Sequence, residues 1–422
     1  MRHAPLARHT PLRLLVVLLC AGLLVGCATP SPPTPIPEPV KIYFAFPDDL
    51  DDYYDDLIEQ FNDQHPYITV ERRTAGNERT WRYLFEKGEI DTFIVSGEDV
   101  TIAALREEEA ILDLAPLIQV NDFDLDDYYP STLDPFQFDG STWALPAGVN
   151  VAVLYYNQEM FDENALPYPQ ANWTWDDMLR AAVELRDPDG SVYGLAAYPF
   201  FSIPMVYQHG GQIMDDWQTP TRLTMDDPLT IEAIEWFVGL STDYDVMPSP
   251  RTANELFGQA GNAPFMFWRR RAAMYMGFLS DRGGETWGPG ARWPMAWGMA
   301  PLPHDETSAT IGLVHAHGIT WDTEHPDACW EWITFLDQQM PPFTIPARRS
   351  LAESDAYRER VGPETADVAL ASIEYAMVID GSQEGVSFDI ESYMEAINNM
   401  LNGDVLVTEA LSELQRASEA GQ

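Results

Sequence analysis

Basic residues are scarce in this chain. Lys41 and Lys87 are the only lysines in 422 residues, and the basic total of 24 faces 67 acidic side chains, for a formal charge of -43. Nucleic-acid binding draws most of its affinity from Lys and Arg that neutralise phosphates, so a nucleic-acid partner is excluded. Electrostatic docking on anionic lipid is disfavoured for the same reason. Cysteine is scarce too, with three residues. Cys20 and Cys27 fall at an apolar leader, so the remaining chain has Cys329 alone and no disulfide framework. Cys329 lies beside Trp330 in a helical pattern and reads as a buried, inert thiol. GxSxG, P-loop, dinucleotide-binding and HExxH motifs are all missing. Apolar residues are plentiful: 45% of the chain is hydrophobic and 12% aromatic, enough for a large core.

Residues 1–13 carry Arg2, Arg8 and Arg13 with no acid, and residues 14–26 run without a charge. That run is shorter than the roughly 20 residues a spanning helix needs, and residues 1–26 read as a signal peptide. It ends in Leu24-Val25-Gly26-Cys27, similar to a bacterial lipobox, with Cys27 lipidated and N-terminal after cleavage. The alternative is an ordinary secretory signal with an incidental cysteine. Residues 28–39 hold six prolines. With Cys27 they make residues 27–39 a lipidated tether, extended at about 3.1 Å per residue to a reach of roughly 35 to 40 Å. The expected location is extracytoplasmic, with the membrane touched only through the lipid.

The body opens with a strand at 40–46, a helix at 48–64 and a strand at 68–72, followed by a helix at 78–87, a strand at 91–95 and a helix at 100–109. This alternation with short links predicts an α/β lobe with a largely parallel sheet. Thr174 should cap a helix over 175–186, with Asp177 as reciprocal partner. Further helices are expected at 228–240, 327–336, 393–401 and 407–417, and strands at 192–196 and 295–302.

The acidic runs 48–56 and 122–127 invite a calcium reading, but the second has Asp127 and Leu133 where an EF-hand loop needs Gly and Glu. Solvated helix faces are the simpler reading. His315 and His317 lie two residues apart on a strand, with no third ligand to nominate, so no metal and no cofactor is expected. With 67 carboxylates, acid pairs at glycosidase spacing carry no weight. The positive signal is 13 Trp, 18 Tyr and 19 Phe. Most belong in the core, but about five are expected to line a cleft, where flat apolar faces suit the C–H face of a sugar.

Several stretches, in this order, resemble a known family: the opening residues 41–70, Trp143-Ala144-Leu145-Pro146, residues 149–157, Met160-Phe161, Trp173 to Asp177, residues 187–194, Gly210-Gly211, Ala272-Ala273-Met274, residues 297–303, residues 325–336 and residues 345–350. Together they are similar to the extracellular solute-binding proteins of ABC importers, in the branch of maltose-binding and other sugar-binding lipoproteins. The resemblance implies an α/β, two-lobed periplasmic-binding-protein-like fold with interlobe hinge strands. One lobe would take residues 40–148 with 316–365, the other 152–312 with 370–422. It further implies a non-enzymatic monomer that holds a carbohydrate between its lobes, closes by hinge rotation and engages ABC permease subunits.

Carried over residue by residue, the resemblance places Phe46, Asp48, Ser96, Glu98 and Asp99 at the first lobe's side of the cleft and Asn150 at the start of the crossing strand. From the second lobe it places Tyr198, Phe200, Phe201, Met276, Phe278 and Phe388. His315 and His317 stand where the family has a glycine cluster, and Arg269, Arg270 and Arg271 where a Gly-Lys pair is common. The arginines either pair with the acidic surface or reach an anionic ligand. Three rivals remain at this level: the same fold binding a polyamine or other small cation between carboxylates and rings, a lipid-anchored glycoside hydrolase, and a sensor or chemoreceptor partner in place of an importer subunit.

Overall fold

The computed structural model describes residues 38–46, 50–74, 78–96, 102–138, 140–216, 220–287, 292–378 and 388–420. The leader, Cys27 and most of the tether lie outside the described residues, as do Asp48, Glu98 and Asp99.

The first lobe begins as the alternation predicts. Strand β1 (Val40–Phe46), helix α1 (Asp51–Gln64), strand β2 (Ile68–Thr74), helix α2 (Glu78–Glu86) and strand β3 (Thr92–Ser96) follow one another. Strand β1 pairs in parallel with both β2 and β3. The chain then enters β4 (Leu145–Asn157), which is buried along nearly its whole length. Near-continuous burial suits a strand covered on both faces, and it explains why this stretch is an apolar run without alternation.

Beyond β4 come helix α3 (Trp175–Leu185), strand β5 (Tyr193–Ala196), helices α4 (Pro228–Thr242) and α5 (Pro250–Phe257), and strands β6 (Ala272–Phe278), β7 (Trp297–Pro301) and β8 (Thr310–Ile319). The chain closes with helix α6 (Pro326–Asp337), the short strands β9 (Ile345–Pro346) and β10 (Ala376–Val378), and helices α7 (Ile390–Leu401) and α8 (Val407–Ala420). The capping box of α3 forms: Thr174 Oγ1 accepts from the Asp177 N–H at 3.3 Å, and Asp177 Oδ2 accepts from the Thr174 N–H at 3.0 Å.

Among the described residues, one sheet runs β2-β1-β3-β8-β4-β6-β5, with β7 and β9 also paired to β4 and β10 to β8. Partners change part-way along β4. Residues from Leu145 to Val151 face β8 antiparallel, whereas Ala152 to Tyr156 face β6 and Ala152's successors from Val153 to Asn157 also face β7. Strand β8 likewise meets β3 through His315–Ile319 and β10 through Thr310–Gly312. Two α/β lobes therefore share β4 and β8, and the fold is the two-lobed one with strands crossing between lobes.

Two of the apolar clusters lie to either side of the crossing strands, and a third joins residues from both sides, Phe93 and Tyr275 among them. One gathers Phe44, Phe46, Phe61 and Trp332 of the first lobe. Another gathers Phe161, Phe201, Phe237 and Tyr393 of the second. The third, including Val149, Tyr155 and Val314, runs along the crossing strands. Cys329 is fully buried, and burial pushes its thiol up to about 12.

The second acidic run is a loop, not a helix face, because Asp122 turns left-handed at φ 48° and ends the preceding helix. Asp127 faces inward from it and accepts from Arg348 Nε at 2.8 Å. Arg348 also donates to the buried Asp337 at 2.6 Å, and the Tyr128 hydroxyl donates to the same carboxylate. Burial works against the guanidinium charge, but its hydrogen bonds to Asp337 and Asp127 outweigh that and hold Arg348 further up than usual.

Candidate functional site at the crossing strands

The parallel strands β5 and β6 end side by side, and the chain segments that leave them build the second-lobe surface. After β5 the chain makes a tight 3-10 turn, Pro199–Phe201. Phe201 goes inward and is 1% exposed, while Phe200 stays half-buried. Phe278 ends β6, with its ring centroid 6.4 Å from Phe200 and 5.7 Å from Phe201. Phe388 arrives from the segment before α7 and packs 5.3 Å from Tyr393. The Tyr393 hydroxyl lies 2.7 Å from Ser202 Oγ, next to the Phe200 turn. Phe200, Phe278 and Phe388 are thus three half-buried rings from three separate segments set on one core.

The loop after β6 is pinned from several sides. The buried Tyr155 of β4 donates its hydroxyl to Phe278 O at 2.8 Å and Leu279 O at 3.3 Å. Asp281 Oδ2 accepts from the Phe278 N–H and from the Tyr275 hydroxyl, both at 2.9 Å. Burial, then the Asp281 charge, raises the Tyr155 and Tyr275 phenols well above their usual range, so both remain donors. Asn150 Nδ2 donates to Ser280 Oγ at 2.9 Å, and Asn150 Oδ1 accepts from the Ser280 N–H at 3.0 Å. Arg282 donates to Leu279 O, Phe343 O and Pro342 O at 3.1, 2.8 and 3.0 Å, tying this loop to the segment before β9. Gly277 is required here, since a Cβ would stand 2.4 Å from the Tyr275 ring and 2.7 Å from Asp281.

The first-lobe side is built by β1, β3 and β8. His317 is 2% exposed; its Nε2 lies 3.1 Å from the Tyr54 hydroxyl, and its Nδ1 has no partner among the described residues. Burial, reinforced by the charge of His315, lowers its pKa to about 3, so the ring is neutral. The register shift opposite His315 and Ala316 leaves Ala147 of β4 as the extra residue, while β8 stays in register with β3; His315 is half-buried where His317 is buried.

The family pattern of the bacterial extracellular solute-binding proteins matches residues 47–337. This chain belongs to that family. An ABC substrate-binding protein of Listeria monocytogenes, solved in complex with cycloalternan, superposes with a TM-score of 0.73 at 20% identity, covering 91% of this chain and 99% of that one. The sugar-binding protein MalE of Xanthomonas citri gives a TM-score of 0.73 at 17% identity over 90% and 96% of the two chains. A Brucella abortus (strain 2308) relative described as a binding protein is 22% identical over 359 residues, 79% of this chain and 81% of its own.

In this solute-binding protein the residues nominated from sequence are divided among several surroundings. Phe200 and Phe278 come together, and Phe388 packs on the same core beside Tyr393. Tyr198, half-buried, turns from them and donates to Asn262 Oδ1 at 2.7 Å. Phe46, Phe201, Met276 and His317 are core residues, at most 2% exposed, because the strand and turn that carry them point those side chains inward. Asn150 is spoken for by Ser280. Ser96 stands opposite His315 in the sheet register. Arg270 pairs with Glu159 at 2.9 Å, Arg271 donates to Ser191 O at 3.2 Å, and Arg269 lies 4.6 Å over the Trp268 ring. Ser280, Asp281, Arg282 and Tyr155 escaped the sequence reading. The one local signal for them was Gly283-Gly284, both at positive φ, which marks the turn that presents Arg282.

Proposed function

We propose that this protein is a non-enzymatic receptor that captures a carbohydrate between its lobes and delivers it to an ABC permease. The observation that carries the reading is the triad of half-buried rings on the second-lobe core, Phe200 after β5, Phe278 ending β6 and Phe388 before α7, in a solute-binding protein. Aromatic faces left partly open beside a packed core suit the apolar face of a pyranose, with hydrogen-bonding groups around it. We take the lobes as residues 40–148 with 316–365 and 152–312 with 370–422, rotating about β4 and β8. Ligand that touches both lobes at once stabilises the closed form, which the permease recognises.

The same reading anchors the chain outside the cell through lipid on Cys27, with the proline-rich residues 28–39 as spacer. Cys27→Ser should release the protein into the medium or leave it in the soluble envelope fraction, and retention on the membrane would contradict the anchor.

Intrinsic tryptophan fluorescence, titrated with mono- and oligosaccharides and with spermidine, tests the capture itself. A saturable response to a neutral sugar is expected. A response to spermidine alone would sink the carbohydrate reading, and turnover of chromogenic glycosides would replace the receptor with a hydrolase.

A further inference from the structure

A cavity of about 390 Å³ lies wholly within the second lobe, lined from Ala196 to Pro199 by the residues that lead into Phe200. Its walls come from the end of β5, from α5 and the turns around it, and from α7. Tyr198 lines it on one side of Pro199, whereas Phe200 on the other side of Pro199 belongs to the triad. Pro199, itself in the lining, is the link between the cavity wall and the turn that carries Phe200.

Its lining is unusual for this chain. Charged residues make up 22% of the sequence, yet none of the described residues around the cavity is charged. Met247, Met266 and Met394 contribute to the wall, and the polar side chains are neutral: the Tyr198 hydroxyl with the amides of Asn254, Asn262 and Asn398. A cation there would lack a counter-charge, and an anion would lack a donor of full charge, so desolvating either would go uncompensated. Methionine side chains are polarizable and adapt to irregular apolar shapes. Ligand cavities combine such walls with a few fixed neutral polar groups, within a volume range of roughly 300 to 1,000 Å³.

We propose that this cavity is a subsite for the apolar, uncharged appendage of a neutral glycoside. The proposal rests on the carbohydrate reading, with the sugar ring on the triad and the aglycone between the three methionines. Because the cavity belongs to one lobe, filling it adds affinity and selectivity without itself favouring closure, which needs contacts to both lobes.

The test uses the full chain carrying ¹³C-methyl methionine. The probes are phenyl glycosides of glucose, galactose and mannose, the matching methyl glycosides, phenol and spermidine. The expected result is that phenyl glycosides shift the Met247, Met266 and Met394 methyl resonances and bind about tenfold tighter than methyl glycosides, the scale of burying one phenyl ring. Asn254→Phe at the cavity rim and Asn398→Phe on α7 fill the space, and either should erase that preference while leaving methyl-glycoside affinity unchanged. If none of the phenyl probes moves these methyls while sugars still change the tryptophan fluorescence, the subsite is overturned and the receptor stands. Equal shifts with spermidine overturn its neutral character. Methyl shifts with phenol, blocked by both fillings, in a protein whose fluorescence ignores every sugar keep the cavity as an apolar site and remove the glycoside.

Discussion

Asn150 and Ser280 satisfy one another twice across 130 residues of sequence, the amide nitrogen donating to the hydroxyl and the amide oxygen accepting from the backbone N–H. Asn150 is 8% exposed, so its amide is committed to holding the loop after β6 against the crossing strand. Asn150→Ala should cost about 1–3 kcal/mol in urea unfolding, the scale of leaving a buried polar partner unpaired. It should also weaken ligand binding, through the displaced Phe278. Lost affinity with unchanged stability would make Asn150 a direct ligand contact instead.

Phe200 and Phe201 are neighbours with opposite assignments. Phe200→Ala should weaken sugar affinity by about 1 kcal/mol or more with little effect on the unliganded protein. Phe201→Ala should destabilise the second lobe by about 3–5 kcal/mol, as a core phenylalanine does. Calorimetric titration and thermal melts of both variants separate the roles, and a reversal of the two outcomes would show that the turn has been read backwards.

Arg348 joins Asp127 and Asp337 under the first lobe. Asp337 has a fully buried side chain, so Arg348→Met leaves an uncompensated charge and should cost about 3–5 kcal/mol. Replacing the pair together by apolar residues should cost less than the single change. A single-variant melt indistinguishable from the parent would refute the arrangement.

The two histidines with shifted pKa values give opposite pH dependences. His317 is held neutral in the folded state, with its pKa lowered from 6.5 to about 3 by burial and then by His315. The unfolded chain takes up a proton at 6.5 that the folded chain refuses, so stability falls as pH drops from 6.5 toward about 3, by at most about 1.4 kcal/mol per pH unit. For His209, burial lowers the pKa, but hydrogen bonds to Asp305 and Glu232 outweigh it and raise it above 6.5. Its contribution is complete below 6.5 and is lost as pH rises through the folded value. His317→Asn should flatten the acid side of the stability curve and His209→Gln the neutral side. Parallel curves for parent and variants would dismiss both assignments.

The alternation of strands and helices over residues 40–109 and the Thr174–Asp177 box were legible in the sequence, because each is set by residues within a turn or two of one another; the crossing strand was placed only by the family resemblance, and Asn150 lies within β4 and not at its start. The site was legible only in part. Phe200, Phe278 and Phe388 could be nominated from their places in the family's order, yet nothing local told Phe200 from Phe201.

By itself the amino-acid sequence determined the apolar N-terminal run, the acidic excess, the element order over residues 40–109 and the family. Tertiary structure alone decided which aromatic rings remain open, that Asn150 answers to Ser280, that Arg282 reaches the carbonyls of Pro342 and Phe343, and that the cavity beside Tyr198 holds no charge. The physical reason is range. Helix caps and strand patterns are fixed by neighbours in sequence, whereas the exposure of a ring and the partner of a buried amide depend on strands brought together from more than a hundred residues away.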